Sequence, residues 1–329
     1  MTPSNKRPNK NKLILKTNSE KHSFLHPRFW GVWLAIGLLR LLTFLPWKWQ
    51  MQVGELFGKL MYHLLKSRRR IANINLKLAF PELSAAERES LCREHFISLG
   101  QGIMDMTLSW WGSDKKLESL ATIEGLDYLE KGLEREGGLI LFGMHFTSLE
   151  VGGPIVSKLT DGVHVVYRPH KNPLLEHMVA KVRARRYGKA IPKTKIRQLI
   201  ISLKKGHTVW TAPDQSFQYK NSLQIPFFGV KAPTNPSTSR LASISNAQVI
   251  PFITIRLYDK KQRATGYLLR FLPPLDNFPS DSAEQDAIRT NLLIEQQVRE
   301  FPAQYLWTHK RYKNPDDSGL DYYASSKPI

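Results

Sequence analysis

GLILFGMHFTSLE, Gly138 to Glu150, is the stretch that decides the fold. Leu139 to Met144 is a short apolar run bounded by Gly137 and Gly138, the pattern of a strand buried on both faces of a sheet. Thr147 followed three residues later by Glu150 fits a helix start, because a threonine can cap and a glutamate can reach back to the open amides. His145 is thereby placed at the carboxyl end of a strand and just before a helix. In open α/β sheets ligands bind at that edge.

The chemistry suggested by this spacing is a His145/Glu150 dyad. A neutral imidazole held at one nitrogen by a carboxylate can take a proton from an attacking hydroxyl at the other, and the carboxylate stabilises the imidazolium that forms. A directly attacking acceptor hydroxyl removes the need for a serine or cysteine nucleophile. A plainer reading fits the same residues: Glu150 as a helix cap and His145 as a loop histidine with a backbone contact.

Outward from this stretch the chain alternates. Strands are expected at 139–144, 164–168, 207–212, 249–257 and 267–272, with helices at 147–159, 173–186, 195–204 and 236–245 between them. A helix at 282–300 and a short strand at 305–309 follow. This order predicts an α/β fold with a mostly parallel central sheet flanked by helices. Before it, residues 50–111 are helical in pattern, and Ser84-Ala-Ala-Glu87 matches a capping box.

The N-terminus has a different character. Residues 1–28 read as a disordered basic arm, with Lys6, Arg7, Lys10, Lys12, Lys16 and Lys21 against one acid, Glu20. FWGVWLAIGLLRLLTFLPWKW, residues 29–49, reads as a membrane-anchoring helix with tryptophans at both ends. Arg40 lies in its middle, so a helix lying in the interface competes with a spanning one; spanning is the expectation. The α/β domain is then residues 50–315, and 316–329 form a loose C-terminal tail.

A charge of +20 and a sequence pI near 10.0 point to anionic partners: phospholipid, phosphorylated glycan, an acidic carrier protein or nucleic acid. Nucleic acid is disfavoured, since no zinc finger, helix-turn-helix or RNP-like motif is present. The single cysteine, Cys92, excludes an intrachain disulfide and a Cys-ligated metal site; no metal and no cofactor are expected. Gly-x-Ser-x-Gly, Walker, Gly-x-Gly-x-x-Gly and His-Glu-x-x-His motifs are absent.

Two further strand ends carry polar groups. Tyr167-Arg168-Pro169 offers an arginine fork suited to a phosphate or carboxylate, or a plain surface arginine. Thr211-Ala212-Pro213-Asp214 offers a carboxylate for an arginine or a substrate hydroxyl, or a simple turn aspartate. VRARRYGK, with Arg183, Arg185, Arg186 and Lys189, is a basic cluster suited to lipid headgroups or an acidic protein, or a solvated face.

Seven stretches in order, RRRIANINLKLAFPEL, HFTSLE, YRPHKNPL, LKKGHTVWTAPDQ, NSLQIPFFG, VIPF and QYLWTHKRYK, resemble the late lipid A acyltransferases of Gram-negative bacteria, the lauroyl/myristoyl type. The resemblance covers about Lys66 to Lys313. It implies a glycerolipid-acyltransferase-like core with a His-x4-Glu motif, His145 as general base and Glu150 as its partner. It further implies substrate-binding roles for Arg168, Arg183 and Asp214. By the same likeness the acyl donor is acyl carrier protein, the acceptor is a hydroxyl of a Kdo-bearing lipid A precursor, and the enzyme sits at the cell inner membrane facing the cytoplasm. The chain departs from the family at Ser216, where many relatives carry an acid, and in its longer basic arm.

The mechanism so implied is direct attack of the acceptor oxygen on the thioester, with backbone amides after His145 or a nearby arginine stabilising the oxyanion. The rival readings are a lysophosphatidate-type glycerophospholipid acyltransferase and a non-enzymatic basic membrane or nucleic-acid binding protein.

Overall fold

The computed structural model describes residues 24–217, 221–313 and 321–324. The basic arm expected at the N-terminus therefore lies, up to residue 23, outside the described residues. After a 3-10 turn at Pro27–Phe29 come four helices: α1 (Trp30–Leu42), α2 (Trp47–Leu64), α3 (Lys66–Ala79) and α4 (Ala85–Trp111). The Ser84/Glu87 capping box starts α4, each side chain bonding the other's backbone amide.

The spanning anchor is not what forms. Pro46 cannot continue a helix from Leu42, so the apolar segment breaks into α1 and the start of α2. At ~1.5 Å per residue, the 13 residues of α1 rise about 20 Å, short of the ~30 Å hydrocarbon core. Among the described residues no helix is long and apolar enough to cross a membrane. Arg40 is accommodated locally, donating to Thr43 Oγ1 and lying over the rings of Phe44 and Trp111.

The remaining chain runs α5 (Asp114–Ser119), β1 (Ala121–Glu124), α6 (Leu126–Glu134), β2 (Leu139–Gly143), α7 (Leu149–Leu159), β3 (His164–Tyr167), α8 (Pro173–Arg186), β4 (Lys189–Pro192), α9 (Ile196–Lys204) and β5 (Thr208–Thr211). Then follow β6 (Leu223–Phe227), β7 (Val230–Thr234), α10 (Ser237–Ser245), β8 (Gln248–Tyr258), β9 (Ala264–Phe271) and α11 (Ala283–Glu300). The main sheet has the order β1-β9-β8-β2-β5-β3-β4, and within it only β8 and β9 pair antiparallel. β6 and β7 form a separate hairpin.

β2 is buried along its whole length. Ile140 and Phe142 enter the core that α3, α9, α10 and α11 cover, whereas Leu139 and Leu141 enter the core built with α7 and the ends of α2 and α4. Alternation into two apolar layers is why this strand reads as one continuous hydrophobic run. α2 lies against α4 at contact distance because Gly58 faces Gly100, where an added Cβ on either would strike the other helix's backbone.

Across that helical layer runs a fully buried ion pair. Arg256 of β8 meets Asp105 of α4, and the guanidinium also donates to Ser98 Oγ at 3.2 Å, Gln101 Oε1 at 3.2 Å and the Tyr258 hydroxyl at 3.0 Å. Tyr267 donates to the other Asp105 oxygen at 2.5 Å. Burial alone raises the Asp105 carboxyl; Arg256 opposes that shift.

The strand expected at 305–309 makes one isolated bridge, Tyr305 to Phe146, and belongs to no sheet. The expected loose tail is also corrected where it is described: Tyr323 is buried, with its hydroxyl on Asn75 Oδ1 at 2.5 Å. β1, β4, β6 and β7 were not anticipated.

Candidate active site

Parallel register builds the site. β2 and β5 are neighbours with Phe142 opposite Thr211, and His145 and Asp214 each follow three residues later. Gly143 lets the Trp210 indole lie against the end of β2, since a Cβ there would collide with the indole nitrogen. The two strand ends thus deliver an imidazole and a carboxylate to the same point of the sheet's carboxyl edge.

Asp214 grips His145 twice. Its Oδ1 is 2.5 Å from Nδ1 of the ring, and its Oδ2 accepts the His145 backbone N–H at 2.8 Å. An ionised carboxylate can only accept, so Nδ1 carries the proton and Nε2 is the remaining basic nitrogen. Asp214 is fully buried, whereas the His145 side chain is about a quarter exposed. Burial opposes the imidazolium, yet the Asp214 charge, its hydrogen bond and the Glu150 charge outweigh burial and hold His145 above its ordinary pKa. Burial likewise pushes Asp214 up, and His145 with the two bonds from it brings that carboxyl below its ordinary value.

Glu150 occupies the first turn of α7 beside the dyad and is reached by solvent. Crowding by protein is the largest influence on it and raises its pKa, with Arg183 and then His145 pulling the other way. The ring-orienting position that the sequence assigned to Glu150 is thus taken by Asp214. Thr147 does not cap α7: Ser148 stands at the N-cap without a side-chain capping bond, and Thr147 Oγ1 meets Ser98 Oγ at 2.6 Å. Ser148 instead donates to the Thr254 carbonyl at 2.7 Å.

Arg183, near the end of α8, lies with its guanidinium carbon 4.1 Å over the Tyr167 ring. Its Nη1 is buried with no hydrogen-bond partner among the described residues. Arg168 follows β3 and is exposed, at the same sheet edge but outside this cluster of contacts. Arg185 and Arg186 turn instead to the end of α4, bonding the carbonyls of Trp110, Ser109 and Gly112.

Several amides around the helix start that the sequence offered as oxyanion donors are committed elsewhere, that of Leu149 to the Phe146 carbonyl among them. The N–H of His145 bonds Asp214, that of Phe146 the Met144 carbonyl, and that of Thr147 the Gln304 carbonyl. Cys92 is buried, its thiol pushed up to about 12, and His95 donates from Nδ1 to the Ala303 carbonyl at 3.1 Å rather than pairing with it. Among the described residues no group of three or more His, Cys, Asp or Glu side chains is arranged to hold a metal ion.

Missed in the sequence were Tyr305, whose hydroxyl donates to the Asp214 carbonyl at 3.3 Å, and His309, whose Nε2 accepts the Ser216 N–H at 3.2 Å. The only signal of either was membership of the QYLWTHKRYK stretch.

Comparison with known proteins fits this geometry. The lipid A biosynthesis palmitoleoyltransferase of Escherichia coli K12 is 36% identical over 291 residues, 88% of this chain and 93% of the relative. The lauroyltransferase of the same strain is 35% identical over 300 residues, 90% of this chain and 96% of its own. The myristoyltransferase of that strain is 28% identical over 314 residues, covering 94% and 96%. Residues 17–314 match the profile described as bacterial lipid A biosynthesis acyltransferase, and the chain belongs to that family.

Proposed function

We propose that this acyltransferase of lipid A biosynthesis moves a fatty acyl group from acyl carrier protein to a hydroxyl of a Kdo-bearing lipid A precursor, with His145 as general base. The observation that carries the reading is the His145–Asp214 pair: a buried carboxylate fixes the tautomer and leaves Nε2 to remove the acceptor's proton. The acceptor oxygen attacks the thioester carbon, the tetrahedral intermediate collapses, the carbon–sulfur bond breaks, and the proton on Nε2 passes to the departing thiolate. Asp214 stays ionised throughout and stabilises the imidazolium.

The oxyanion needs a donor. Since three amides beside His145 are already bonded, the unpartnered Arg183 Nη1 supports a role for this guanidinium on the oxyanion or on an acceptor phosphate. Glu150 is in electrostatic reach of both Arg183 and His145, which fits a carboxylate that tunes the base. Arg168, exposed at the same edge, suits an outer contact to an anionic headgroup or to the acidic carrier.

Attachment to the inner membrane, with the site towards the cytoplasm, rests on α1 and α2. Trp30, Leu34, Leu38, Leu41, Phe44 and Trp49 are exposed, an apolar surface beyond what scattered surface residues give. With Lys48 and Lys59 exposed nearby, the pattern is that of a helix pair lying in the interface of an anionic bilayer.

The test is acyl transfer by purified protein from acyl carrier protein to the lipid A precursor. His145→Ala should abolish product. Product formed equally well by that variant, or acylation of lysophosphatidate in preference to the lipid A precursor, would reject the reading.

A further inference from the structure

The chain after α11 does more than close the fold. Just beyond α11, residues Pro302–Gln304 form a 3-10 turn, and from there to Arg311 the backbone runs past both strand ends that carry the dyad. It touches the His145 loop twice through backbone: the Gln304 carbonyl accepts from Thr147 N–H at 2.8 Å, and Leu306 N–H donates to the His145 carbonyl at 3.0 Å. It touches the Asp214 loop twice through side chains, by the Tyr305 hydroxyl on the Asp214 carbonyl and by His309 Nε2 on Ser216 N–H. One segment therefore bonds both partners of a pair that lies 69 residues apart in sequence.

The segment is itself held from behind. Asn75 of α3 donates from one amide nitrogen to the carbonyls of Trp307 at 2.6 Å and His309 at 2.7 Å. The Gln304 side chain closes two bonds with the Arg256 backbone, at 2.8 and 2.9 Å, and so ties the other end to β8.

We propose that residues 304–309 act as a positioning strap, in which Tyr305 and His309 set the Asp214 carboxylate against His145 and Asn75 holds the strap in place. The proposal rests on the acyl-transfer reading for its link to turnover, and on the coordinates alone for the geometry. His309 suits the task only as a neutral acceptor. Burial holds its pKa down at about 4, the positive charge of His145 adds to this, Asp214 opposes it, and Arg311 and Arg68 also disfavour its protonation. At neutral pH its Nε2 therefore keeps the Ser216 N–H. Neither Tyr305 nor His309 needs to touch substrate for this.

A merely structural strap would affect stability and leave the base unaltered, so the test reads His145 directly. The ring titration of His145 is followed by NMR on the full chain for wild type, His309→Ala, His309→Gln, Tyr305→Phe and Asn75→Ala. Groups facing His145 are Asp214, Glu150 and His309, and only the first two raise its pKa. Loss of the strap's grip should lower the His145 midpoint in His309→Ala and Asn75→Ala, with kcat falling by up to about 100-fold and KM for the acyl donor nearly unchanged. His309→Gln, whose amide oxygen can accept the Ser216 N–H, should restore most of both. Tyr305→Phe removes one hydroxyl and little packing, and carries the test if His309→Ala does not fold. A wild-type His145 midpoint in a folded His309→Ala protein, or in Tyr305→Phe where His309→Ala does not fold, overturns the proposal. Because that readout needs no turnover, an inactive wild type with a lowered midpoint in the variants would count against acyl transfer and not against the strap.

Discussion

Asp214 holds both the ring and the backbone of His145, with one carboxylate oxygen on Nδ1 at 2.5 Å and the other on the amide at 2.8 Å. A single side chain thereby fixes where the base sits and which nitrogen it offers. Charge-assisted bonds of this kind are the stronger class, and here they lie in a buried setting where the opposing burial cost is overcome.

Replacing that carboxylate should be more damaging than replacing any other partner of the ring. Asp214→Asn keeps the shape but can present an amide N–H to Nδ1, favouring the wrong tautomer; kcat should fall by about 10^4-fold, as in triads so altered. Steady-state kinetics on a variant with wild-type far-UV circular dichroism would check it, and a loss under tenfold would count against the dyad.

Glu150 gives a separable prediction in pH. Its charge raises His145, so Glu150→Gln should lower the pKa of the base. Only unprotonated His145 can accept the hydroxyl proton, and the acid limb of kcat/KM reports the free enzyme. Wild type should therefore show that limb above the ordinary imidazole value of about 6.5, and Glu150→Gln should move it to lower pH. Movement to higher pH would contradict the assignment.

Stability should fall on acidification for a reason away from the site. His95 is buried neutral, with burial holding its pKa at about 4 in the folded chain. Its folded value is depressed, so the unfolded chain binds the extra proton, and stability is lost as pH drops from about 6.5 towards 4. The gap amounts to roughly 3 kcal/mol. His95→Gln, which can still donate to the Ala303 carbonyl, should lose less Tm between pH 7 and pH 4.5 than wild type does. An equal loss in both would assign acid sensitivity to other groups.

Removing one half of the buried ion pair should cost far more than a surface change. Asp105→Ala leaves the Arg256 guanidinium in a site with no exposed surface, and stability should drop by about 3–5 kcal/mol. Urea titration would show it. A drop under 1 kcal/mol would mean that water or a neighbour satisfies Arg256.

Attachment through α1 predicts a change in partitioning with no change in fold. Leu38 and Leu41 are exposed, so Leu38→Asp with Leu41→Asp should leave Tm within a few degrees. Losing two large apolar contacts with lipid should weaken binding to anionic vesicles by about 100-fold or more. Flotation with and without such vesicles measures it, and undiminished flotation would place the membrane contact elsewhere.

Local pattern determined much of this protein. The glycine-bounded run at Leu139–Met144 specified a strand buried on both faces, the Ser84 capping box specified the start of α4, and Asn172-Pro173 specified the start of α8, because each depends on neighbours within a turn or two. Strands of four residues such as KAIP at β4, and the proline-bearing pair β6 and β7, carry too little periodicity to stand out. His145 was likewise legible as the residue at a strand's end, and the family was legible from its ordered motifs. What the tertiary structure alone decided was its partner. A spacing of five places Glu150 on the same turn of chain, but the carboxylate that reaches Nδ1 comes from β5, since β5 rather than the next strand in sequence lies beside β2. Sheet order arises from how helices pack over both faces, and no local stretch encodes it. The anchor shows the same division: composition marked residues 29–49 as apolar, while the break before Pro46 and the packing of α2 on α4 decided that they form two helices against the domain.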